Sequence, residues 1–314
     1  MIKEFTVENL TLGLQCKFGQ ELDCDFLFED DGVDWGSVPA DHNVYNYPGQ
    51  IGDTFSSTKV KNRDVSIVGY AYYILTDEER TKVSREKINE YCYNKIKVKK
   101  ELLNNMINPQ DTVRIMIGNY YIEGKPSATV KYGVGYEENN IYFCKFLINI
   151  FCANPMFKKV TRTESNLAGN IPAFSFPLYF DNEKVMGTRI DYQVVILNNE
   201  GNVPIGGKIH IKAKGTVINP VIENISTEEF IKINKTLSDG EIVTIDTTDG
   251  PGKGIIGEYN GVTRDYLQYW NFSNTWLKFL PGTTIIGYTS DNEAEDLMEV
   301  SIDINAEKYG LEEM

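Results

Sequence analysis

A chain of 314 residues divides most naturally into two domains, each large enough to bury its own core. Its net charge of −14 argues against nucleic acid or an anionic membrane surface as a partner and fits a soluble acidic protein. Five cysteines without a C-x-x-C pair and two isolated histidines, His42 and His210, give no metal-site spacing, and no apolar run reaches membrane-spanning length.

Met1 to Phe5 lacks the apolar core of a signal peptide, so the sequence implies a soluble protein made in the cytoplasm with its thiols reduced. Cys144 and Cys152 fall in one predicted strand, about 26 Å apart and too far to bridge. Residues 1–30 alternate as two or three strands, through Phe5, Val7, Leu10, Leu12, Leu14, Cys16 and Phe18. A hairpin turn is predicted at Gly19-Gln20, with Cys16 and Cys24 opposed across it. Residues 29–59 read as looser, with turn regions around Trp35 and at Tyr47-Pro48-Gly49-Gln50-Ile51-Gly52-Asp53. Strand character resumes from Val60 to Leu75.

One long helix is predicted over 77–108. Thr76 and Glu79 have capping-box spacing, and Val83, Ile88, Tyr91, Cys92, Leu102, Leu103 and Met106 form an apolar face. Asn108-Pro109 ends it, since proline disfavours the α region for the residue before it. Gly118-Asn119 between Asp111–Ile117 and Tyr120–Glu123 is a hairpin signal. Further strands end at Asn154-Pro155, and a polar linker is placed at 158–170.

The second half reads as all β. Strands are predicted at 173–180, 190–198, 205–214, 217–225, 229–235, 241–247, 253–258, 274–280, 283–289 and 297–305, with a hairpin turn at Asp239-Gly240. About ten short strands between proline- and glycine-rich turns fit a sandwich or jelly roll.

The candidate chemistry is thin. Gly252-Lys253-Gly254-Ile255-Ile256-Gly257 matches a dinucleotide fingerprint, but no helix is predicted to open on it. Glu228, Glu229, Asp246, Asp249, Glu293, Glu295 and Asp296 supply carboxylates for a glycosidase pair, but in an acidic chain a solvated surface is the better account of them. No serine sits in a nucleophile elbow. Lys95, Lys97, Lys99 and Lys100 lie among nearby acids and read as a solvated helix face or a contact with an acidic neighbour. Trp35, Trp270 and Trp276 fit sugar stacking, or a core or protein interface.

The order of short motifs resembles that of the distal tail proteins of tailed bacteriophages and phage-tail-like particles. In the first half the likeness rests on Pro48, Gly49 and Gly52 of the Tyr47–Asp53 turn, and on Arg63 and Gly69 of an arginine-led strand. It continues with the single helix, the hairpin at Gly118, and the run through Asn154, Pro155 and Phe157. In the second half it rests on Asn219-Pro220, Gly240 and Asp246 of the run from Asp239 to Thr247, Asn260-Gly261, and Trp276, Pro281 and Gly282. Thr283 and Thr284 stand where the family often has asparagine, and Asn154-Pro155 where it often has Asp-Pro.

The resemblance implies a mainly β protein with one long helix. A split-barrel-like domain related to tail-tube subunits (residues 1–157) and a galectin-like β-sandwich (171–314) are expected, with a hexameric ring as the assembled form. The expected partners are other copies of the chain, the tail tube protein, a tail hub or spike, and receptor-binding or baseplate proteins at the virion tail tip. No cofactor, catalytic residue or metal is implied. Two alternatives remain open, a carbohydrate-binding adhesion protein using the sandwich and a glycoside hydrolase.

Overall fold

Alternating apolar residues wind the first half into a closed barrel. In β1 (Glu4–Asn9), Phe5, Val7 and Asn9 face inward, and the strand pairs antiparallel with β2 (Leu14–Gly19). The predicted run from Phe5 to Phe18 is broken at Leu10–Gly13, where Gly13 takes a positive φ and Leu10 and Leu12 are exposed. β2 runs parallel to β3 (Phe26–Asp34), so Gly19-Gln20 opens a loop and not the predicted hairpin. β3 pairs with β6 (Arg63–Tyr72), and between them β4 (Ala40–Tyr45) and β5 (Thr54–Val60) form a separate hairpin. The region read as loose is therefore largely paired strand.

β7 (Val113–Ile117) and β8 (Tyr120–Pro126) are joined by the predicted Gly118-Asn119 turn, with Gly118 at φ +54. β10 (Phe143–Cys152) pairs with β6 along its whole length. Ile150 opposite Pro126 links β10 to β8 and closes a seven-strand barrel in the order β8-β7-β1-β2-β3-β6-β10. Short β9 (Lys131–Tyr132) adds to β10, and β11 (Phe157–Lys159) to β8. The interior is aromatic. Phe5 stacks on Phe18 at 5.2 Å, Phe18 meets Phe26 at 5.2 Å, and Phe26 meets Phe146 edge-on at 5.7 Å.

The computed structural model describes residues 2–161, 163–166 and 193–312, which divide into a unit of 2–160 with 309–312 and a unit of 161–308. Leu311, near the chain's end, packs against the core of the first unit.

The predicted helix is two. The Thr76–Glu79 capping box starts α1 (Asp77–Lys82), and Val83, at φ −93 and ψ 124, ends it. α1 buries no residue, so nothing apolar carries it past its sixth position. A 3-10 turn follows, then α2 (Ile88–Met106), which buries Cys92, Ile96, Leu103 and Met106 along one face. Leu103 and Met106 join the barrel core. Asn9, wholly buried, bonds from Nδ2 to the Met106 carbonyl (3.0 Å) and the Asp111 carboxylate (2.9 Å), tying the helix end to β1.

Among its described residues the second unit has two larger antiparallel sheets. One has the order β12 (Thr163–Asn166), β23 (Met298–Ile304), β14 (Gly207–Ala213), β19 (Ile242–Asp246), β20 (Gly254–Tyr259), β21 (Val262–Asp265). The other runs β13 (Gln193–Asn199), β22 (Gly282–Thr289), β16 (Val221–Asn224), β17 (Glu229–Lys232). Alternate residues are buried in both, among them Ile209, Ile211, Val243 and Ile302 in the first and Leu197, Ile222 and Ile286 in the second. β15 (Val217–Ile218) pairs with β18 (Thr236–Leu237) as a small third sheet. Asp239-Gly240 passes from β18 to β19, which lie in different sheets, so it is not a hairpin. Residues 274–280, predicted as a strand, are irregular apart from a bridge between Phe279 and Ile205. β12 lies in the stretch read as linker, and the predicted strand at 173–180 is outside the described residues.

Candidate assembly interface

The β4–β5 hairpin pairs with no other strand among the described residues, and every residue of β4 is exposed. Pro48 and Gly49 build its tip. The Gln50 amide donates to the Tyr47 carbonyl at 3.0 Å around a turn with Gly49 at φ +88, a type II turn with proline at its second position and glycine at its third. Gly52 follows at φ +79. The turn leaves Ile51 fully exposed (100 %), with Phe55 at 69 % and Tyr47 at 61 %. Residues Val44 to Gly52 carry no charge, in a chain with 45 acidic residues. Asp41 and Lys61 pair at 2.7 Å nearer the root. Unpaired strand edges with an uncharged apolar tip have the composition of an interface core. The sequence marks this arm by its proline-glycine turn, and β4 lacks alternation because no face of it is buried.

The resemblance motifs do not form one site. Pro48, Gly49 and Gly52 lie at the hairpin tip. Arg63 and Gly69 face the barrel interior from β6, and a Cβ on Gly69 would meet the Leu27 carbonyl at 2.5 Å and the Phe146 ring at 2.7 Å. Arg63 comes together with Phe157, its guanidinium 4.6 Å from the ring. Asn154 Oδ1 accepts from the Met156 amide at 3.0 Å across Pro155. Asn219, at φ +50, donates to Asp291 at 2.8 Å, and the Pro220 carbonyl accepts from Ile233 at 3.0 Å. Gly240 and Gly282 take positive φ in their turns, the latter directly after Pro281. Asp246 lies 3.3 Å from Lys208.

The catalytic and ligand candidates are accounted for by local structure. Gly254 to Gly257 lie in β20, between two antiparallel neighbours and with no helix opening on them. Gly257 is required because the Tyr266 ring lies against it. That ring is fixed by its hydroxyl, 2.6 Å from Glu241, which also meets Lys235 at 2.7 Å and the Ser238 amide at 3.0 Å. Burial pushes the Glu241 carboxyl up, and the bonds from Lys235, Tyr266 and Ser238 outweigh it, so it titrates below its usual range.

Of the acids proposed for a glycosidase pair, Asp249 pairs with Lys278 at 2.7 Å and Glu295 accepts from Thr289 at 2.6 Å. Three α2 lysines are engaged within the first unit. Lys95 lies over Tyr73 and Tyr91, Lys99 reaches the Asp25 carbonyl at 2.6 Å, and Lys100 reaches Asn139 at 3.1 Å. Trp270 and Trp276 stack on each other at 4.3 Å, and Lys253 lies over Trp276, so these rings spend faces on neighbours that a sugar would need. Trp35 meets Phe5 and Phe157 in the first unit. Among the described residues no helix is long and apolar enough to cross a membrane, and no cluster of three metal-type ligands occurs.

Residues 200–302 match the family model of the siphovirus-type tail component, C-terminal domain. No curated protein matches the chain by sequence. Among solved structures, the Dit (gp 19.1) protein of phage SPP1, described as a paradigm of hub adsorption apparatus in phages infecting Gram-positive bacteria, superposes with a TM-score of 0.62. That match has 12 % identity and covers 96 % of this chain and 98 % of that one, a likeness of fold. Chains of the phage P2 baseplate in its activated conformation score 0.41 with calcium (12 % identity; 96 % and 98 % covered) and 0.40 with strontium (13 % identity; 98 % and 99 % covered), too low to add to the comparison.

Proposed function

We propose that this chain, whose fold is that of a phage distal tail protein and whose second unit matches the siphovirus-type tail component domain, is a non-enzymatic structural subunit of a tail tip or baseplate. Its mechanism is geometric. The barrel unit forms a ring of copies, six by the resemblance, and the second unit, read as galectin-like, serves as a docking module. Tail tube protein on one side and hub, spike, receptor-binding or baseplate proteins on the other are the partners this reading assigns. The observation that carries it is the β4–β5 arm, exposed throughout β4, uncharged from Val44 to Gly52, and tipped by Ile51.

Buried apolar area drives association, and a charge at the centre of such a contact opposes it. Ile51→Asp is therefore expected to abolish self-assembly in light scattering while leaving the thermal midpoint measured below the assembly concentration unchanged, because the tip lies outside the core. Wild-type assembly that survives the substitution contradicts the arm's role.

A further inference from the structure

At the root of the arm lies a cleft of about 520 Å3, lined by Gly36, Ser37, Val38, Ala40, Val60, Arg63, Tyr309 and Gly310. Arg63 is 2 % exposed. Its Nη1 donates weakly to the Trp35 carbonyl at 3.4 Å, its Nη2 donates to the Tyr309 carbonyl, and its Nε has no partner. No carboxylate among the described residues forms an ion pair with it, and its guanidinium lies 4.6 Å from the Phe157 ring. A guanidinium removed from water without a counter-charge is costly, and cations buried in proteins are ordinarily paired. Neutral carbonyls and a ring face meet only part of that need. A planar fork with an unsatisfied donor recognises carboxylate or phosphate. Apart from Ser37 and Tyr309, the side chains around it are aliphatic or absent. They offer no second cation for a dianion, but they suit the methylene stem of an acidic side chain.

We propose that the Arg63 cleft is a carboxylate-binding site that takes an Asp or Glu side chain from a second copy of this chain. The identity of the donor rests on the assembly reading above. Charge complementarity argues for it, since each copy carries 45 acidic against 31 basic residues and can bring an acid to the one buried cation without an ion-pair partner among the described residues. Continuity argues for it too, because Ala40 and Val60 are both cleft wall and the paired root of the arm. The arm supplies the apolar part of the contact and the cleft its registering charge, as one desolvated ion pair fixes the geometry of an otherwise permissive surface.

The test begins with acetate as a probe on the 15N-labelled full-length chain carrying Ile51→Asp. Acetate should shift one arginine Nε–H resonance saturably, the one lost in Arg63→Lys, and chloride at equal ionic strength should not. Ser37→Trp, at an exposed position outside the arm strands, should fill the cleft and abolish the shift. In the otherwise wild-type chain it should raise the concentration for half-assembly roughly tenfold, the value of one charge-assisted bond, with an unchanged melting temperature below the assembly concentration. Absence of a saturable shift overturns the site. A shift accompanied by unaltered assembly of Ser37→Trp overturns the second copy as donor. Assembly that persists in Ile51→Asp overturns the arm reading alone, since the acetate resonance is read at Arg63 whatever the state of assembly.

Discussion

Two buried polar side chains tie neighbouring segments together, each within its own unit. Asn9 is wholly buried and fully bonded, its Oδ1 accepting from the amides of Thr11 and Leu12 at 2.9 and 3.0 Å while Nδ2 serves Met106 and Asp111. Asn9→Ala should cost about 3 kcal/mol in urea unfolding, since it strands several buried groups at once. Glu241 is 2 % exposed and holds Lys235, Tyr266 and Ser238. Removing it leaves an unpaired ammonium and frees the Tyr266 ring, so Glu241→Ala should cost about 3–5 kcal/mol. Because that ring lies against Gly257, Gly257→Ala should be more damaging with Glu241 present than in Glu241→Ala, a coupling that a double-mutant cycle reads directly. At the thiols, burial pushes Cys16 and Cys152 up to about 12, so neither should react with alkylating reagents at pH 8 in the folded chain.

At the scale of elements, the clearest lesson is the helix. Its cap was legible because a capping box is a local device, and Thr76 and Glu79 need only each other. Glu79 accepts from Tyr73, from the Thr76 amide and from Tyr91, which together hold its carboxyl at about 2 against an ordinary 4.5. A lowered carboxyl stabilises the fold above its unfolded value, and the benefit is lost as pH falls. α1 should therefore loosen between about pH 4.5 and 2, seen as amide exchange at Arg80 and Val83, and Glu79→Gln should remove that dependence. The break at Val83 was not legible, because Val83 fits the apolar spacing and only the absence of anything buried beneath α1 distinguishes the two helices. The Gly118-Asn119 hairpin was legible for the same local reason as the cap. The parallel β2–β3 pairing, the closure of β8 on β10 and the passage of Asp239-Gly240 between sheets depend on partners distant in sequence. The arm was half legible, since its proline-glycine turn is written in the sequence but its strands bury no face and show no alternation. The Arg63 cleft was invisible, because Trp35, Arg63, Phe157 and Tyr309 come from four separate stretches.

At the scale of the whole molecule, a barrel with an apolar arm and a second, all-β unit form a scaffold without an assembled reaction centre among the described residues. The net charge of −14 repels both nucleic acid and stray copies, so the proposed assembly rests on the apolar arm and the one desolvated pair at Arg63. Assembly should accordingly strengthen with salt, which screens that repulsion, where a contact built on surface ion pairs would weaken. Sedimentation from 50 mM to 500 mM sodium chloride reads that trend. The most direct measurement is the mass of the purified full-length chain in solution, by light scattering with negative-stain imaging of the same sample. A closed ring of about six chain masses with a central opening is expected, lost in Ile51→Asp. A single-chain mass at every concentration and salt, with no rings on the grid, would contradict it.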